Sequence, residues 1–500
     1  MTRVLLLSIL MLGPAARAQI LPRAPLPGLP GGLPGGLPGD LPGNLSTGAG
    51  LPAMARQAGE ALTAEAGELE HARQLRIRLL LRRHSDVIEA DPHGNPVVRG
   101  EVLAFSPTDA ALARALSAGF SIARQRSLDM LGIRMVVLSA PRGMATSRAL
   151  RLLQQLDPAG TYDFNNIYAE SGEGPVGKTR GPAALPQGTI AGGGPRPAAD
   201  ARTAKSAGEM TVGLIDGGVG TAQPVFESAV IDRHGCGGAV VPSAHGTEVA
   251  SLLVGRSAQF GGAAPGAVLY AADVYCGQPT GGAVDAIAEA FGWLAGRRVP
   301  VINVSLVGPP NALLQQVVAR LVARGFLLVA AVGNDGPAAP PLYPAAYPGV
   351  VGVTAVDVRR RAIFEAERGP QVMFAAPGAD LPAATLPSGF DKVRGTSFAA
   401  PIVAGLLAES LRAVTSGSAA PGTAPSASPT TAPTLAPGAS PIAFRSDPAS
   451  SAAVDPAAAR KALDALSQAA IHLGRPGRNV VFGYGLVGAD LPSPRPATAE

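Results

Sequence analysis

From Met210 onward, short apolar runs alternate with segments in which apolar residues recur every three or four positions. The runs predict short buried strands at residues 211–215, 268–274, 301–305 and 326–332. The intervening segments show helical spacing in residues 284–294 and 313–321. This alternation predicts a mainly parallel sheet with helices on both faces, a three-layer α/β domain. Functional side chains in such sheets gather at the carboxyl ends of strands, where Asp216 and the pair Gly333-Asn334 lie.

The chain upstream predicts a smaller domain of a different class. Its pattern places strands at residues 97–105, 121–126, 133–139 and 162–169, and helices at 109–118 and 146–156. This βαββαβ order is the split βαβ arrangement of an α+β domain. A helical segment at residues 54–83 precedes it, so that the unit runs over 54–170. The arginines of that helix predict a solvated face: Arg73, Arg76, Arg78, Arg82 and Arg83.

Several segments do not predict a folded core. Residues 1–18 have the layout of a secretory signal, with an apolar stretch too short to span a bilayer, so the mature chain should begin at Gln19. Residues 19–53 repeat Leu-Pro-Gly and predict a flexible leader, and residues 171–207 predict a linker with a processing site. The domain at 208–490 carries a Pro/Ala/Ser/Thr-rich insert at about 415–455 that predicts disorder, and a tail follows at 491–500.

Composition narrows the class of protein. The 500 residues are 47% apolar and only 15% charged, with a net charge of +5 from scattered arginines. This balance favours a soluble protein over one that binds nucleic acid. The signal-like N-terminus predicts export, periplasmic or extracellular, and no later segment has the eighteen or so uninterrupted apolar residues that a membrane helix needs. An oxidising compartment and an even count make Cys236 and Cys276 candidates for a disulfide, which would stabilise the fold by roughly 4 kcal/mol on the chain-entropy model. Two separate buried thiols are the alternative.

Three residue types needed for acyl transfer occur in the order aspartate, histidine, serine. A serine hydroxyl attacks a carbonyl only when a base takes its proton, and an imidazole does so when a carboxylate fixes its tautomer. Ser397, His245 and Asp216 suit these roles. Attack on an amide also leaves a negative oxygen, which the side-chain amide of Asn334 and the backbone N–H of Ser397 at a helix start could stabilise.

The sequence around these residues resembles the subtilisin-like serine proteases, or subtilases, over about residues 208–490. The resemblance lies in Asp216, in His245-Gly246-Thr247, in Gly333-Asn334 and in Gly395-Thr396-Ser397-Phe398-Ala399-Ala400-Pro401, in family order. It implies an endopeptidase that acts on proteins or peptides through an Asp216, His245 and Ser397 triad, with Asn334 in the oxyanion hole.

The same resemblance implies further features of the chain. The segment 303–308, above all Ser305, Leu306, Val307 and Gly308, would pair with an extended substrate. The small domain would be an inhibitory, fold-assisting propeptide, so the protein would be a monomeric zymogen with its own pro-domain as partner. No cofactor is required, and structural calcium is possible although no ligand set stands out. Two positions depart from the family: Glu248 stands where many relatives have histidine, and Gly217 where serine is common.

Three other interpretations account for parts of the sequence. Residues 172–179 match the phosphate-loop pattern Gly-x4-Gly-Lys-Thr, but helix-breaking residues follow them and an exported protein meets little ATP. An α/β-hydrolase esterase needs a Gly-x-Ser-x-Gly elbow and a histidine last in order, whereas Ala399 replaces the final glycine. An inactive subtilase-like binding protein stays as the alternative function.

Overall fold

The computed structural model describes residues 50–171, 209–257, 261–417, 455–489 and 491, with side chains from residue 67 onward. The signal sequence and nearly all of the leader, linker, insert and tail predicted above lie outside the described residues.

The first part of the chain forms a long helix and a small α+β domain. Its elements are α1 (Gly50–Arg83), β1 (Ile88–Ala90), β2 (Pro96–Phe105), α2 (Asp109–Ser117), β3 (Ser121–Leu128), β4 (Ile133–Ser139), α3 (Thr146–Leu156), β5 (Thr161–Asn166) and β6 (Ala169–Glu170). Strands β5, β2, β4 and β3 pair antiparallel in that order, and β1 also pairs with β2. From β2 to β5 the order is βαββαβ, and α2 and α3 pack their apolar faces on one side of the sheet.

The large domain is built on a parallel sheet. Its elements are β7 (Thr211–Asp216), β8 (Ile231–Gly235), α4 (Ala244–Val254), β9 (Val268–Asp273), α5 (Val284–Gly296), β10 (Val301–Val304), β11 (Leu306–Val307), α6 (Ala312–Ala323), β12 (Leu327–Ala331), β13 (Val351–Val356), β14 (Val372–Pro377), β15 (Ala379–Ala384), β16 (Phe390–Arg394), α7 (Thr396–Ser416) and α8 (Pro456–Ala469). Seven strands pair in parallel in the order β14-β13-β12-β10-β7-β9-β8, and β15 and β16 form an antiparallel hairpin.

Alternate residues of the central strands enter different cores. Leu214 and Val329 pack with α4, α7 and α8 on one face of the sheet, whereas Ile215 and Leu328 pack with α5 and α6 on the other. This alternation follows from the two-residue repeat of a strand. The predicted three-layer α/β architecture is therefore confirmed. Within the sheet, β8 and β9 lie on one side of β7, whereas β10, the next strand in the chain, pairs with the other side of β7. This change of direction opens a crevice at the carboxyl ends of β7 and β10.

The small domain packs its free sheet face on α5 and α6. Leu103, Met135 and Val137 of that face share one buried core with the two helices. Polar contacts surround this core: Arg124 lies 2.8 Å from the Asp285 carboxylate, and the backbone N–H of Ala312 donates to Asp163 at the start of α6. The two domains thus share an extensive apolar interface with a charged rim.

Some of the secondary structure differs from the sequence predictions. The predicted strand at 162–169 ends at Asn166, because the next residues leave the small sheet and contact the large domain. Asn303 lies in the inner strand β10, so the edge segment begins only at Ser305. The arginine-rich face of α1 is not entirely solvated, since Arg73 and Arg76 lie 2.9 and 3.4 Å from the carboxylate of Asp335. The sequence pattern did not predict strands β8, β13 and β14.

One described helix, α7, is long and apolar enough to cross a membrane by length and composition alone. Its apolar window is 67% buried in this fold, and its residues from Phe398 to Leu411 contribute to the core of the large domain. Because α7 is largely buried among other elements of the large domain, its apolar composition is that of a core helix.

Candidate active site

Asp216 and His245 form a buried pair at the carboxyl edge of the parallel sheet. Asp216 ends β7, and His245 lies in the first turn of α4, whose N-terminus is capped by Ser243. His245 Nδ1 lies 2.8 Å from Asp216 Oδ1, which also accepts the backbone N–H of Gly217. Nδ1–H donating to the carboxylate leaves Nε2 as the basic nitrogen. That Nε2 atom is buried and makes no hydrogen bond to any described residue.

The charges around His245 set its basicity. Burial by itself lowers the pKa of this imidazole, but the carboxylates of Asp216, Glu170 and Glu248 outweigh burial and raise the pKa to about 10. Burial also raises the pKa of Glu248, whose Oε1 accepts a hydrogen bond from Thr385. The glutamate that departs from the family pattern therefore acts on the histidine through its charge.

The second departure, Gly217, has a steric explanation. A Cβ atom at this position would lie 2.2 Å from Ser243 Oγ. That oxygen accepts the N–H of Gly246 and caps the helix that carries His245. Any larger residue at 217 would have to displace the cap. Asp216 Oδ2 has no hydrogen-bond partner among the described residues.

Ser397 lies in the first turn of α7, where the backbone N–H groups and the helix dipole favour negative charge. Gly395 precedes the helix with φ = 144°, a conformation that L side chains rarely adopt. Ser397 is fully buried, and its carbonyl oxygen accepts the hydroxyl of Ser305 at 2.9 Å. Its own hydroxyl makes a short contact with the hydroxyl of Ser171 rather than with His245.

Asn334 is fixed beside Ser397 by one end of its amide. Its Oδ1 accepts the backbone N–H of Thr396 at 3.0 Å, and the N–H of Gly333 lies 3.2 Å from the Thr396 hydroxyl. The other end, Nδ2, is buried with no hydrogen-bond partner in the described part of the chain. A buried amide that lacks an acceptor can donate to an oxygen that gains charge nearby.

A groove beside Ser397 holds residues 167–171, which we call the groove segment. Strand β6 of this segment pairs antiparallel with β11, with Glu170 opposite Leu306 and Ala169 opposite Val307. On its other side the N–H of Tyr168 donates to the Gly282 carbonyl oxygen, and Ile167 forms a bridge with Ala283. The groove segment is therefore held between two edges of the large domain.

Of the four residues predicted to bind an extended chain, three contact the groove segment through their backbones. Ser305 accepts the N–H of Ser171 at 3.3 Å, and Leu306 and Val307 form β11. Gly308 instead pairs with Tyr343. A Cβ at 308 would lie 2.6 Å from the ring of Tyr168, so this glycine makes room for that ring.

Cys236 and Cys276 are joined in a disulfide, which connects the segment after β8 to the segment after β9. The backbone N–H of Cys276 also donates to Asp273 Oδ1. This cross-link lies at the same edge of the sheet as Asp216, because β8 and β9 run parallel to β7 and end there.

Sequence reasoning missed two parts of the site. One is the second edge of the groove at Gly282 and Ala283, and the other is the groove segment with Ser171. Neither has a chemical signature, since a glycine-alanine pair and a serine at the start of a linker occur in many proteins. Only the pairing of residues distant in sequence identifies them.

Comparison with known proteins gives the same family as the motifs. The sequence profile of the Subtilase family matches residues 208–484. Subtilisin BL of Lederbergia lenta is 36% identical over 167 residues, 33% of this chain and 61% of that protein. Subtilisin E of Bacillus subtilis is 34% identical over 217 residues, 40% of this chain and 54% of that protein. The chain thus spans about half the length of the curated relatives that it matches.

Among solved structures, fervidolysin from Fervidobacterium pennivorans, described as a keratinolytic enzyme related to subtilisin, has a TM-score of 0.56 at 18% identity. The alignment covers 83% of this chain and 63% of that one. At this identity the likeness shows a common fold.

Proposed function

Because the chain belongs to the subtilase family, we propose that it is an exported serine endopeptidase made as a self-inhibited zymogen, with Asp216, His245 and Ser397 as its triad. The observation that carries the proposal is the buried Asp216–His245 pair at 2.8 Å. It lies at the same edge of the sheet as Ser397 and the unpaired Nδ2 of Asn334. These groups supply the base, its orienting carboxylate, the nucleophile and an oxyanion donor that acyl transfer needs.

In the proposed reaction, His245 Nε2 takes the proton of Ser397 Oγ as that oxygen attacks a peptide carbonyl carbon. The carbonyl oxygen gains charge and accepts hydrogen bonds from Asn334 Nδ2 and from the backbone N–H of Ser397. The protonated imidazole then gives its proton to the leaving amine, and an acyl-enzyme remains on Ser397. Water, deprotonated by His245, hydrolyses that ester and restores the serine.

The small domain is proposed to inhibit the enzyme until it is removed. Support comes from its apolar interface with α5 and α6 and from the groove segment, which occupies the space beside Ser397 that a substrate would need. A substrate would have to displace the β6–β11 pairing, so the attached domain competes with every other peptide at high effective concentration.

Export is proposed from the signal-like N-terminus and the disulfide, because disulfides persist in oxidising compartments. One relative, 33% identical over 167 residues, is the Minor extracellular protease Epr of Bacillus subtilis. Hydrolysis of a protein or peptide substrate requires no cofactor in this mechanism.

The proposal is tested by comparing the full chain with its Ser397→Ala and Ser416→Ala variants on casein. Ser416 lies at the end of the same helix, so its variant controls for the loss of a hydroxyl from α7. We expect hydrolysis by the parent and by Ser416→Ala, and none by Ser397→Ala. Equal hydrolysis by the parent and both variants would remove Ser397 from the mechanism. A folded, processed parent that cuts no polypeptide would favour the alternative of an inactive subtilase-like binding protein.

A further inference from the structure

The groove segment lies beside the nucleophile and pairs antiparallel with β11, and its register identifies one peptide bond. The inference rests on the proposed function, since it uses Ser397 as nucleophile. Antiparallel pairing places Ala169 opposite Val307 and Glu170 opposite Leu306. Continuing this register by one residue places Ser171 at Ser305, and the N–H of Ser171 donates to the Ser305 carbonyl oxygen at 3.3 Å.

Ser305 links this register to the nucleophile. Its carbonyl oxygen holds the backbone of Ser171, and its hydroxyl donates to the carbonyl oxygen of Ser397 at 2.9 Å. The hydroxyls of Ser171 and Ser397 are in direct contact, and Ser171 is 4% exposed. Ser171 is thus the groove-segment residue whose side chain touches Ser397 Oγ.

Tyr168 prevents the segment from sliding. Its side chain is fully buried, its ring uses the space left open by Gly308, and its hydroxyl donates to the Pro309 carbonyl oxygen. A slip by one residue would turn every side chain of the segment to the opposite face and expel this ring. Tyr168 is three residues from Ser171, so its position fixes the register in which Ser171 contacts Ser397.

We propose that the protein cuts its own chain directly after Ser171. Ser397 Oγ forms a bond to the carbonyl carbon of Ser171, and the bond from that carbon to the nitrogen of the next residue, Gly172, breaks. The proton of Ser397 passes through His245 Nε2 to the departing amine of Gly172. Water then hydrolyses the Ser171 ester, which releases a fragment ending at Ser171 and regenerates Ser397.

The processing site therefore lies at the first residue of the predicted linker and not within its glycine- and proline-rich interior. It also follows that the four residues before the cut, Tyr168-Ala169-Glu170-Ser171, are the sequence that this groove accepts from its own chain. A small residue precedes the scissile bond, and an aromatic residue fills a closed site three positions further upstream.

The test follows the fragments of the full chain after expression and incubation. Intact mass and C-terminal peptide mapping should show a pro-region fragment that ends at Ser171. Gly172→Pro places an imide nitrogen in the leaving position and should abolish this fragment, since the proline ring changes the departing group and leaves every described residue unaltered. Gly188→Pro makes the same change within the interior of the predicted linker and should leave the fragment unchanged.

Two outcomes would overturn the assignment. One is a fragment that ends within residues 172–207, absent from Ser397→Ala, with the bond after Ser171 intact; this result leaves the proposed endopeptidase standing. The other is the expected fragment appearing equally in Ser397→Ala, which would mean that another protease makes the cut. Absence of any Ser397-dependent cut, together with absence of casein hydrolysis, would contradict the proposed function itself.

Discussion

Replacing Glu170 with glutamine removes a negative charge from beside the imidazole of His245 without changing the size of the side chain. The Glu170 and Asp216 carboxylates and the imidazole each offer an atom within 4.8 Å of the others. Both carboxylates raise the pKa of His245, to about 10 in the uncut chain. An imidazole with this pKa is almost fully protonated near neutral pH, and a protonated imidazole cannot take the serine proton.

The size of the effect follows from the separation of the charges. Two unit charges about 5 Å apart interact by about 3 kcal/mol at an effective dielectric constant of about 20, which equals about two pKa units. Glu170 is half-buried, so solvent screens part of this interaction. We therefore expect Glu170→Gln to lower the pKa of His245 by about one to two units and to speed self-cleavage below that pKa by about ten- to a hundredfold.

The assay measures the rate at which the pro-region fragment appears, as a function of pH. The parent rate should rise with pH toward about 10, where His245 loses its proton, and the Glu170→Gln midpoint should lie lower. Glu409→Gln is the matched control, since Glu409 is on α7, about 18 Å along the helix from Ser397. A Glu170→Gln midpoint equal to or above that of the parent would refute the reasoning.

Three further predictions concern other parts of the structure. Asn334→Ala should lower the turnover of a peptide substrate about a hundredfold to a thousandfold, because one oxyanion donor is lost. Arg73→Ala with Arg76→Ala removes two partly exposed ion pairs that join α1 to Asp335 of the large domain. The cut pro-region should then dissociate more readily, so peptidase activity should appear about three- to tenfold sooner after self-cleavage. Glu367 is buried and its pKa is raised, by burial and then by the Asp335 charge, to about 9. Unfolded Glu367 ionises while the folded residue keeps its proton, so between about pH 5 and pH 9 the parent should lose up to about 1.4 kcal/mol of stability per pH unit relative to Glu367→Gln.

Each of these has its own control. An unchanged turnover number in Asn334→Ala would remove this amide from the mechanism. Arg78→Ala with Arg82→Ala changes two exposed residues of the same helix and should not alter the onset of activity; 1 M salt should reduce the effect of the Asp335 pairs. The Glu367 comparison is made by urea denaturation in a Ser397→Ala background, and parallel stability curves across pH would contradict a neutral buried acid.

The sequence alone was sufficient to predict the bounds of those helices and strands that have a strong local pattern. Helix Thr146–Leu156 and strand Ile133–Ser139 have the predicted bounds, because each has a clear apolar periodicity and turn residues at its ends. The parallel sheet followed from the strand and helix alternation, and the positions of Asp216, His245 and Ser397 from motifs that combine local geometry with chemistry.

The parts that could not be predicted depend on contacts between residues distant in sequence. Strand patterning continues through Tyr168, yet the chain leaves the small sheet at Asn166 because its next residues gain partners in the large domain. Likewise, nothing local distinguishes Arg73 from Arg78 on α1. Arg73 is less exposed than Arg78 because Asp335 of the large domain lies against it.

Active-site labelling of the processed protein tests the central claim most directly. A fluorophosphonate reacts with a serine only when a neighbouring base and an oxyanion site activate it. Peptide mass mapping after labelling should place the adduct on Ser397. His245→Ala, freed of its pro-region by an added protease, should give no adduct while circular dichroism shows the fold retained. An adduct on another serine, or no adduct on a folded protein whose groove segment has been removed, would contradict the account.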